Sequence, residues 1–103
     1  MAAYFFLSYD VTNPEEYAKY NPGSLPTIMQ TLQKHGGKPL AAGGENHWVA
    51  GERKAVVLLE FPSVDAAKAW EADGDYAAAK AIRLASTANR FEVISPEFVP
   101  PSG

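Results

Sequence analysis

Glu60 is the residue whose position in the sequence most directly suggests acid or base chemistry. It lies in the stretch Ala55 to Phe61, AVVLLEF, which is otherwise apolar on both alternating faces. A strand of that kind is covered on both sides, and a carboxylate in such surroundings suits proton transfer. The alternative is structural, with Glu60 capping a neighbouring backbone group or pairing with a lysine. We predict Glu60 as the main catalytic candidate.

Arg83, Trp70 and Tyr76 are candidates for ligand binding. Tyr76 and Arg83 are seven residues apart, which places them on one face of a predicted helix. Arg83 would hold an anionic ligand or pair with a buried acid such as Glu60 or Asp10. Trp70 and Tyr76 flank a helix break and could wall a flat ligand; alternatively, both aromatics belong to the core and Arg83 lies at the surface. We expect one cavity to be reached by Glu60, Trp70, Tyr76 and Arg83.

A third group of polar residues lies where the first predicted strand gives way to the first helix. It consists of Tyr9, Asp10, Tyr17 and Tyr20. Hydroxyls and a carboxylate at the end of a strand are common in binding clefts. They are equally common as cap and turn residues. We predict Tyr9, Asp10 and Tyr17 as further ligand-binding candidates.

His47 is the second candidate proton carrier, in a turn-rich connection that follows Gly43 and Gly44. The chain has two histidines, His35 and His47, and only Glu45 lies close enough in sequence to His47 to share a metal with it. Because metal sites need three or four convergent ligands, we predict no metal site. The sequence also has no phosphate-binding loop, dinucleotide fingerprint or nucleophile elbow, so we expect no cofactor.

The composition limits the partners that the protein can have. The chain has 103 residues, no cysteine and a formal net charge of −3, with no run of lysine or arginine. Such a chain is not typical of proteins that bind nucleic acid or acidic membranes. No apolar stretch approaches the roughly 20 residues that span a bilayer. We therefore expect a cytoplasmic protein whose partner is a small molecule.

The order of predicted elements is strand, helix, strand, strand, helix, strand. The strands are predicted at residues 3–11, 38–42, 55–61 and 90–95, and the helices at residues 14–35, with an interruption at 21–23, and 64–86, with a break at 73–74. Asn13 or Thr12, Ser24, Ser63 and Asp75 are the predicted helix caps. Trp48 and Val49 are predicted to be extended. This order is the ferredoxin-like βαββαβ arrangement, an α+β fold with a four-stranded antiparallel sheet.

The first and third predicted strands are apolar on both faces, and they occupy the centre of a ferredoxin-like sheet. Helices can cover one face of such a sheet, so a second copy of the chain is expected to cover the other. We therefore predict a homodimer. One domain is expected over residues 1–96, followed by a tail at 97–103 that contains no repeating pattern.

Two motifs in the second half of the chain carry a family resemblance. They are EFPSVDAAKAW at 60–70 and DYAAAKAIR at 75–83, with weaker agreement at Pro14-Glu15-Glu16-Tyr17 and Gly36-Gly37-Lys38. Together they resemble the bacterial domain-of-unknown-function family thirteen-thirty, a member of the dimeric α/β-barrel superfamily. Residues 48–52 depart from its usual pattern. The resemblance implies the fold and a dimer, and it implies no established reaction.

Two functional hypotheses follow. In the first, the protein is a cofactor-independent enzyme or binder that acts on a small aromatic or carboxylated metabolite. Glu60 would then move a proton, Arg83 would hold an anionic group, and Trp70 and Tyr76 would shape the cavity. In the second, the protein is a non-catalytic dimeric structural or interaction protein. The two hypotheses differ in whether Glu60 and Arg83 line a cavity.

Overall fold

The computed structural model of the protein describes residues 1–53 and 55–101. Its elements are β1 (Ala3–Val11), α1 (Pro14–Ala18), α2 (Leu25–Lys34), β2 (Lys38–Ala42), β3 (Ala55–Phe61), α3 (Val64–Glu71), α4 (Ala77–Ala85) and β4 (Thr87–Pro96). The strands form one antiparallel sheet in the order β2-β3-β1-β4. This confirms the predicted ferredoxin-like α+β fold with β1 and β3 at its centre. Within the described part of the chain, the helices are too short or too polar to cross a bilayer.

Two of the predicted caps begin their helices as expected. Asn13 Oδ1 accepts a hydrogen bond from the Glu16 N–H at 3.2 Å, and Ser63 Oγ accepts one from the Ala66 N–H at 3.0 Å. The prediction that Asp75 caps the last helix is wrong. The N–H of Asp75 donates to a carboxylate oxygen of Asp73, and α4 starts two residues later, at Ala77.

Two strand predictions also need correction. Strand β4 begins at Thr87, earlier than predicted, because Thr87 and Ala88 pair with Val11 and Asp10 at the end of β1. Residues 48 and 49 are not in a strand, and the side chain of Val49 is fully exposed.

One face of the sheet is covered by the helices and forms the core. The large side chains on this face are Phe5, Leu7, Tyr9, Leu59 and Phe61, all buried. The strand register directs the intervening side chains to the other face, which we call the open sheet face: Tyr4, Phe6, Ser8, Val56, Leu58, Glu60, Phe91 and Val93. In the single chain Phe91 is 51% exposed and Val93 is 42% exposed. As predicted, the central strands are apolar on both faces, and one face lacks a cover.

Asp73 connects the break between α3 and α4 to the end of α2. Its Oδ2 accepts hydrogen bonds from His35 Nε2 at 2.6 Å and Lys34 Nζ at 2.9 Å, while its Oδ1 accepts one from the Asp75 N–H at 2.8 Å. These three donors favour the carboxylate over the carboxylic acid. They hold the pKa of Asp73 well below its ordinary value of 3.8.

The Asp73→Asn variant is expected to be less stable than the wild type at neutral pH. Because the pKa of Asp73 is lower in the folded state, the unfolded chain binds a proton first as the pH falls. The stabilisation is therefore complete above about pH 4 and is lost below it. Urea titrations at fixed protein concentration from pH 7 to pH 2 should show the curves of variant and wild type converging.

Asp75→Asn is the matched control. Its carboxylate is 76% exposed and meets Lys34 at 3.4 Å, so its removal should change stability little at any pH. A constant gap between Asp73→Asn and the wild type across the whole range would contradict the assignment.

Candidate functional site

Two adjoining cavities lie between the sheet and the first two helices, at the end where β1 finishes and β3 starts. The outer cavity has a volume of about 270 Å³ and the inner cavity about 120 Å³. Both are lined by Tyr17, Asn21, Ala42 and Val57. The described residues that line the two cavities carry no charge. Concave, mostly apolar sites with a few polar groups are the usual places where small molecules bind.

Two tyrosines place hydroxyl groups at this site. Tyr9 projects from β1 and Tyr17 from α1, and their hydroxyl oxygens are 2.8 Å apart. Tyr17 lines both cavities, while Tyr9 is buried and lines the inner one. Burial raises the pKa of Tyr9, and the hydrogen bond to Tyr17 raises it further. The Tyr9 hydroxyl therefore stays protonated and acts through hydrogen bonding.

The tyrosine contacts continue inward from Tyr17. The rings of Tyr17 and Tyr20 are 5.8 Å apart, and the hydroxyl oxygens of Tyr20 and Tyr76 are 2.8 Å apart. Burial, followed by the proximity of Tyr76, raises the pKa of Tyr20. Of the predicted ligand-binding candidates, Tyr9 and Tyr17 line the cavities, and Tyr20 joins them in the wall of the inner one.

Arg83 is buried behind this site and lines neither cavity. It is 1% exposed, its Nη1 contacts Glu92 Oε1, and its Cζ lies 5.8 Å from the centre of the Tyr9 ring. The predicted acidic partners, Glu60 and Asp10, are therefore replaced by Glu92. The register pairs Glu92 with Leu7 and so places it on the helix-covered face. The sequence signal that could have identified Glu92 is its position between two apolar residues of β4, Phe91 and Val93, which places it on the opposite face from them.

Glu60 lies on the opposite side of the sheet from Arg83. The register pairs it with Tyr4, and its Oε2 is 3.8 Å from Lys38 Nζ. This matches the structural alternative, a pairing with lysine. The expectation that Glu60 shares a cavity with Trp70, Tyr76 and Arg83 is wrong, because side chains alternate between the two faces of a strand.

Trp70 and Tyr76 are core residues that line neither cavity. Their rings stack with centres 4.2 Å apart, and Trp70 Nε1 donates a hydrogen bond to Thr31 Oγ1 at 3.1 Å. Both are buried. Tyr76 is linked to the site through the hydroxyl of Tyr20, so these residues support the walls from behind.

The two remaining candidates, Asp10 and His47, line neither the outer nor the inner cavity, although Asp10 lines a separate, open pocket with Arg53 and Asn89. Asp10 Oδ2 accepts a hydrogen bond from Asn89 Nδ2 at 2.9 Å, and His47 is exposed on the connection between β2 and β3. Sequence reasoning missed Asn21 and Val57 as cavity residues. Asn21 follows Tyr17 by four positions, the spacing that puts two residues of a helix side by side, and this was the available signal.

The fold is shared with several solved structures. A protein of unknown function from Rhodopseudomonas palustris superposes with a TM-score of 0.72 at 18% identity, covering 96% of this chain and 84% of that one. A dimeric ferredoxin-like protein from Bacteroides fragilis gives 0.64 at 15% identity, with 93% and 96% covered. A "putative antibiotic biosynthesis monooxygenase" from Nitrosomonas europaea gives 0.63 at 13% identity, with 97% and 94% covered.

At these identities the likeness concerns the fold alone. No curated protein matches the chain in sequence. The model of the family called domain of unknown function (DUF1330) matches residues 2–95, nearly the whole chain. The protein therefore belongs to the DUF1330 family.

Proposed function

We propose that the protein binds a small, uncharged aromatic molecule in the outer and inner cavities, and that it does so as a homodimer. The observation that carries the proposal is the pair of adjoining cavities, whose shared wall combines the polar residues Tyr17 and Asn21 with the apolar residues Ala42 and Val57. A dry cavity of about 150 Å³ holds benzene. The outer cavity, at about 270 Å³, has room for one substituted ring.

The charge of the site favours a neutral ligand over a carboxylate. The described lining residues are uncharged, and the guanidinium of Arg83 is engaged by Glu92 behind the cavities. A carboxylate entering here would lose its hydration without gaining a cation from these residues, which is costly. A phenol or another neutral ring can exchange hydrogen bonds with Tyr17 and Asn21 at no such cost.

We propose ligand binding in preference to catalysis. Glu60 and His47, the two catalytic candidates from the sequence, line neither cavity. The neighbour from Nitrosomonas europaea is named for antibiotic biosynthesis monooxygenase activity, which supports a role for this fold with organic molecules.

The proposal of a homodimer rests on the open sheet face. Phe91 and Val93 are large, apolar and about half exposed in the single chain, and the Phe91 ring meets the Phe6 ring edge-on at 5.9 Å. Contiguous apolar surface of this kind marks interfaces. The related fold from Bacteroides fragilis is described as dimeric. Light scattering at micromolar concentration should give twice the chain mass of 11.1 kDa.

The ligand proposal is tested with two matched probes, p-cresol and p-hydroxybenzoate, which share a phenol ring and differ in charge. Titration followed by NMR should show saturable binding of p-cresol and much weaker binding of p-hydroxybenzoate. Ala42→Phe adds a ring to a residue that lines both cavities and should abolish p-cresol binding. Ala78→Phe adds the same ring at an exposed position on α4 and should leave binding unchanged. Equal affinity of the two variants for p-cresol would place the ligand elsewhere.

A further inference from the structure

We infer that the outer cavity is completed by the second copy of the chain, so that ligand binding and dimerisation strengthen each other. The inference rests on the proposed function, because it concerns the same cavity. It goes further by making the site incomplete in a single chain. Three features of the sheet support it: the position of Val56, the end of β2, and the row of side chains that leads from Val56 to Phe91.

The outer cavity lies where the two faces of the sheet meet. Val56 and Val57 both line it. The register pairs Val57 with Leu7 of the core and Val56 with Ser8 of the open sheet face. Consecutive residues of a strand point to opposite faces, so a cavity lined by both lies against the edge of the sheet. Val56, one of the lining residues, has its side chain on the open sheet face.

The sheet has a gap at this point because β2 is shorter than β3. The last pair between the two strands is Ala42 with Val57, so Ala55 and Val56 lie beyond the end of β2. The chain continues from β2 through Gly43 and Gly44, which also line the outer cavity. A methyl group added to either glycine would have no atom within 4 Å. The cavity is therefore loosely bounded on this side by the described residues.

A second copy of the chain is the occupant that fits this edge. The register places Val56, Ser8 and Phe91 side by side across β3, β1 and β4. A partner that covers the exposed Phe91 therefore lies over the row of side chains that ends, two strands away, at Val56 beside the cavity. A two-fold axis brings the same patch of both chains together, so a charged patch would repel itself. Val56, Ser8 and Phe91 carry no charge, and Glu60, the acidic residue of the open sheet face, lies 3.8 Å from Lys38 Nζ. The row from Val56 to Phe91 therefore permits self-association.

Coupling between the two events is reciprocal. If the dimer holds p-cresol about tenfold more tightly than the single chain, then saturating p-cresol tightens the dimer by the product of two such factors, about a hundredfold, because each dimer has two sites. A cavity that was already complete in one chain would show neither effect. The predicted linkage can thus be measured from both directions.

The experiment compares wild type with Phe91→Lys, which places a charge in the open sheet face, and with the control Leu84→Lys, which places one at a residue of α4 that is 38% exposed. Circular dichroism checks that each variant is folded. Phe91→Lys should be monomeric and should bind p-cresol at least about tenfold more weakly, while Leu84→Lys should match the wild type. Sedimentation of diluted wild type, with and without p-cresol, gives the dimer dissociation constant without relying on any variant.

The outcomes separate this inference from the proposal beneath it. A monomeric chain, whether Phe91→Lys or wild type, that binds p-cresol as tightly as the dimer would overturn the inference and leave the proposed ligand site standing. A dimer dissociation constant that p-cresol does not change would also overturn it. Wild type that binds p-cresol nowhere near the cavity residues would overturn both.

Discussion

A Glu92→Leu variant is expected to unfold about 3–5 kcal/mol more easily than the wild type. The reason is Arg83, which is 1% exposed and has Glu92 as its ion-pair partner. Removal of the carboxylate leaves a buried guanidinium without a counter-charge, and its Nε already lacks a hydrogen-bond partner among the described residues. Urea unfolding, followed by circular dichroism at fixed protein concentration, measures the loss.

The double variant Arg83→Met/Glu92→Leu tests whether the stability loss of Glu92→Leu comes from the unpaired buried charge of Arg83 or from the lost attraction between the two side chains. It should be more stable than Glu92→Leu alone, because no buried charge remains unpaired and the methionine fills much of the same space. Glu16→Gln is the control. It breaks a surface pair with Lys19, whose side chain is 66% exposed, and should cost about 0–1 kcal/mol. If the loss in the double variant equalled the sum of the losses of Arg83→Met and Glu92→Leu measured separately, the two residues would not depend on each other.

Replacement of Trp70 by alanine is expected to cost about 3–5 kcal/mol. Trp70 is buried between Phe5, Phe61 and Tyr76, with ring centres 4.2 to 6.0 Å away. Its removal leaves a large void and takes away the indole N–H that donates to Thr31. The same urea titration gives the magnitude.

Trp48→Ala is the matched control, since Trp48 is the other tryptophan and is only half-buried, on the connection between β2 and β3. It should cost about 1 kcal/mol or less. The two variants also test the role of Trp70. If Trp70 is a core residue, the folded fraction of Trp70→Ala should bind p-cresol with wild-type affinity. If Trp70→Ala instead kept near-normal stability but lost p-cresol binding, Trp70 would be a residue of the ligand site.

Much of the fold could be predicted from the sequence, because its signals are local. The alternation of apolar residues in β1 and β3 identifies both strands, and their apolar character on both faces places them in the centre of the sheet. Asn13 and Ser63 cap their helices because a side-chain oxygen lies within reach of N–H groups three residues later. Tyr9 and Tyr17 could be predicted as neighbours in a binding site because they lie close in sequence, where β1 ends and the following helix begins.

The tertiary structure decided which of these side chains meet. Alternation shows that Leu59 and Glu60 point to opposite faces of β3. Both faces of β1 and β3 are apolar, however, so the pattern cannot tell which face the helices cover. That choice separates Glu60 from Arg83, Trp70 and Tyr76. It gives Arg83 the partner Glu92, since antiparallel pairing of β4 with β1 brings that carboxylate to the covered face.

The cavity itself depends on a difference in strand length that the sequence marks only as turns. Strand β2 stops at Ala42, opposite Val57. The start of β3, which pairs with β1 but has no β2 partner, then forms the outer wall beside Tyr17 and Asn21. Where a strand ends depends on its neighbour's register as well as on its own residues. The sequence by itself therefore determined the elements and the order of the sheet, while the pairing of the strands decided which polar groups reach the site.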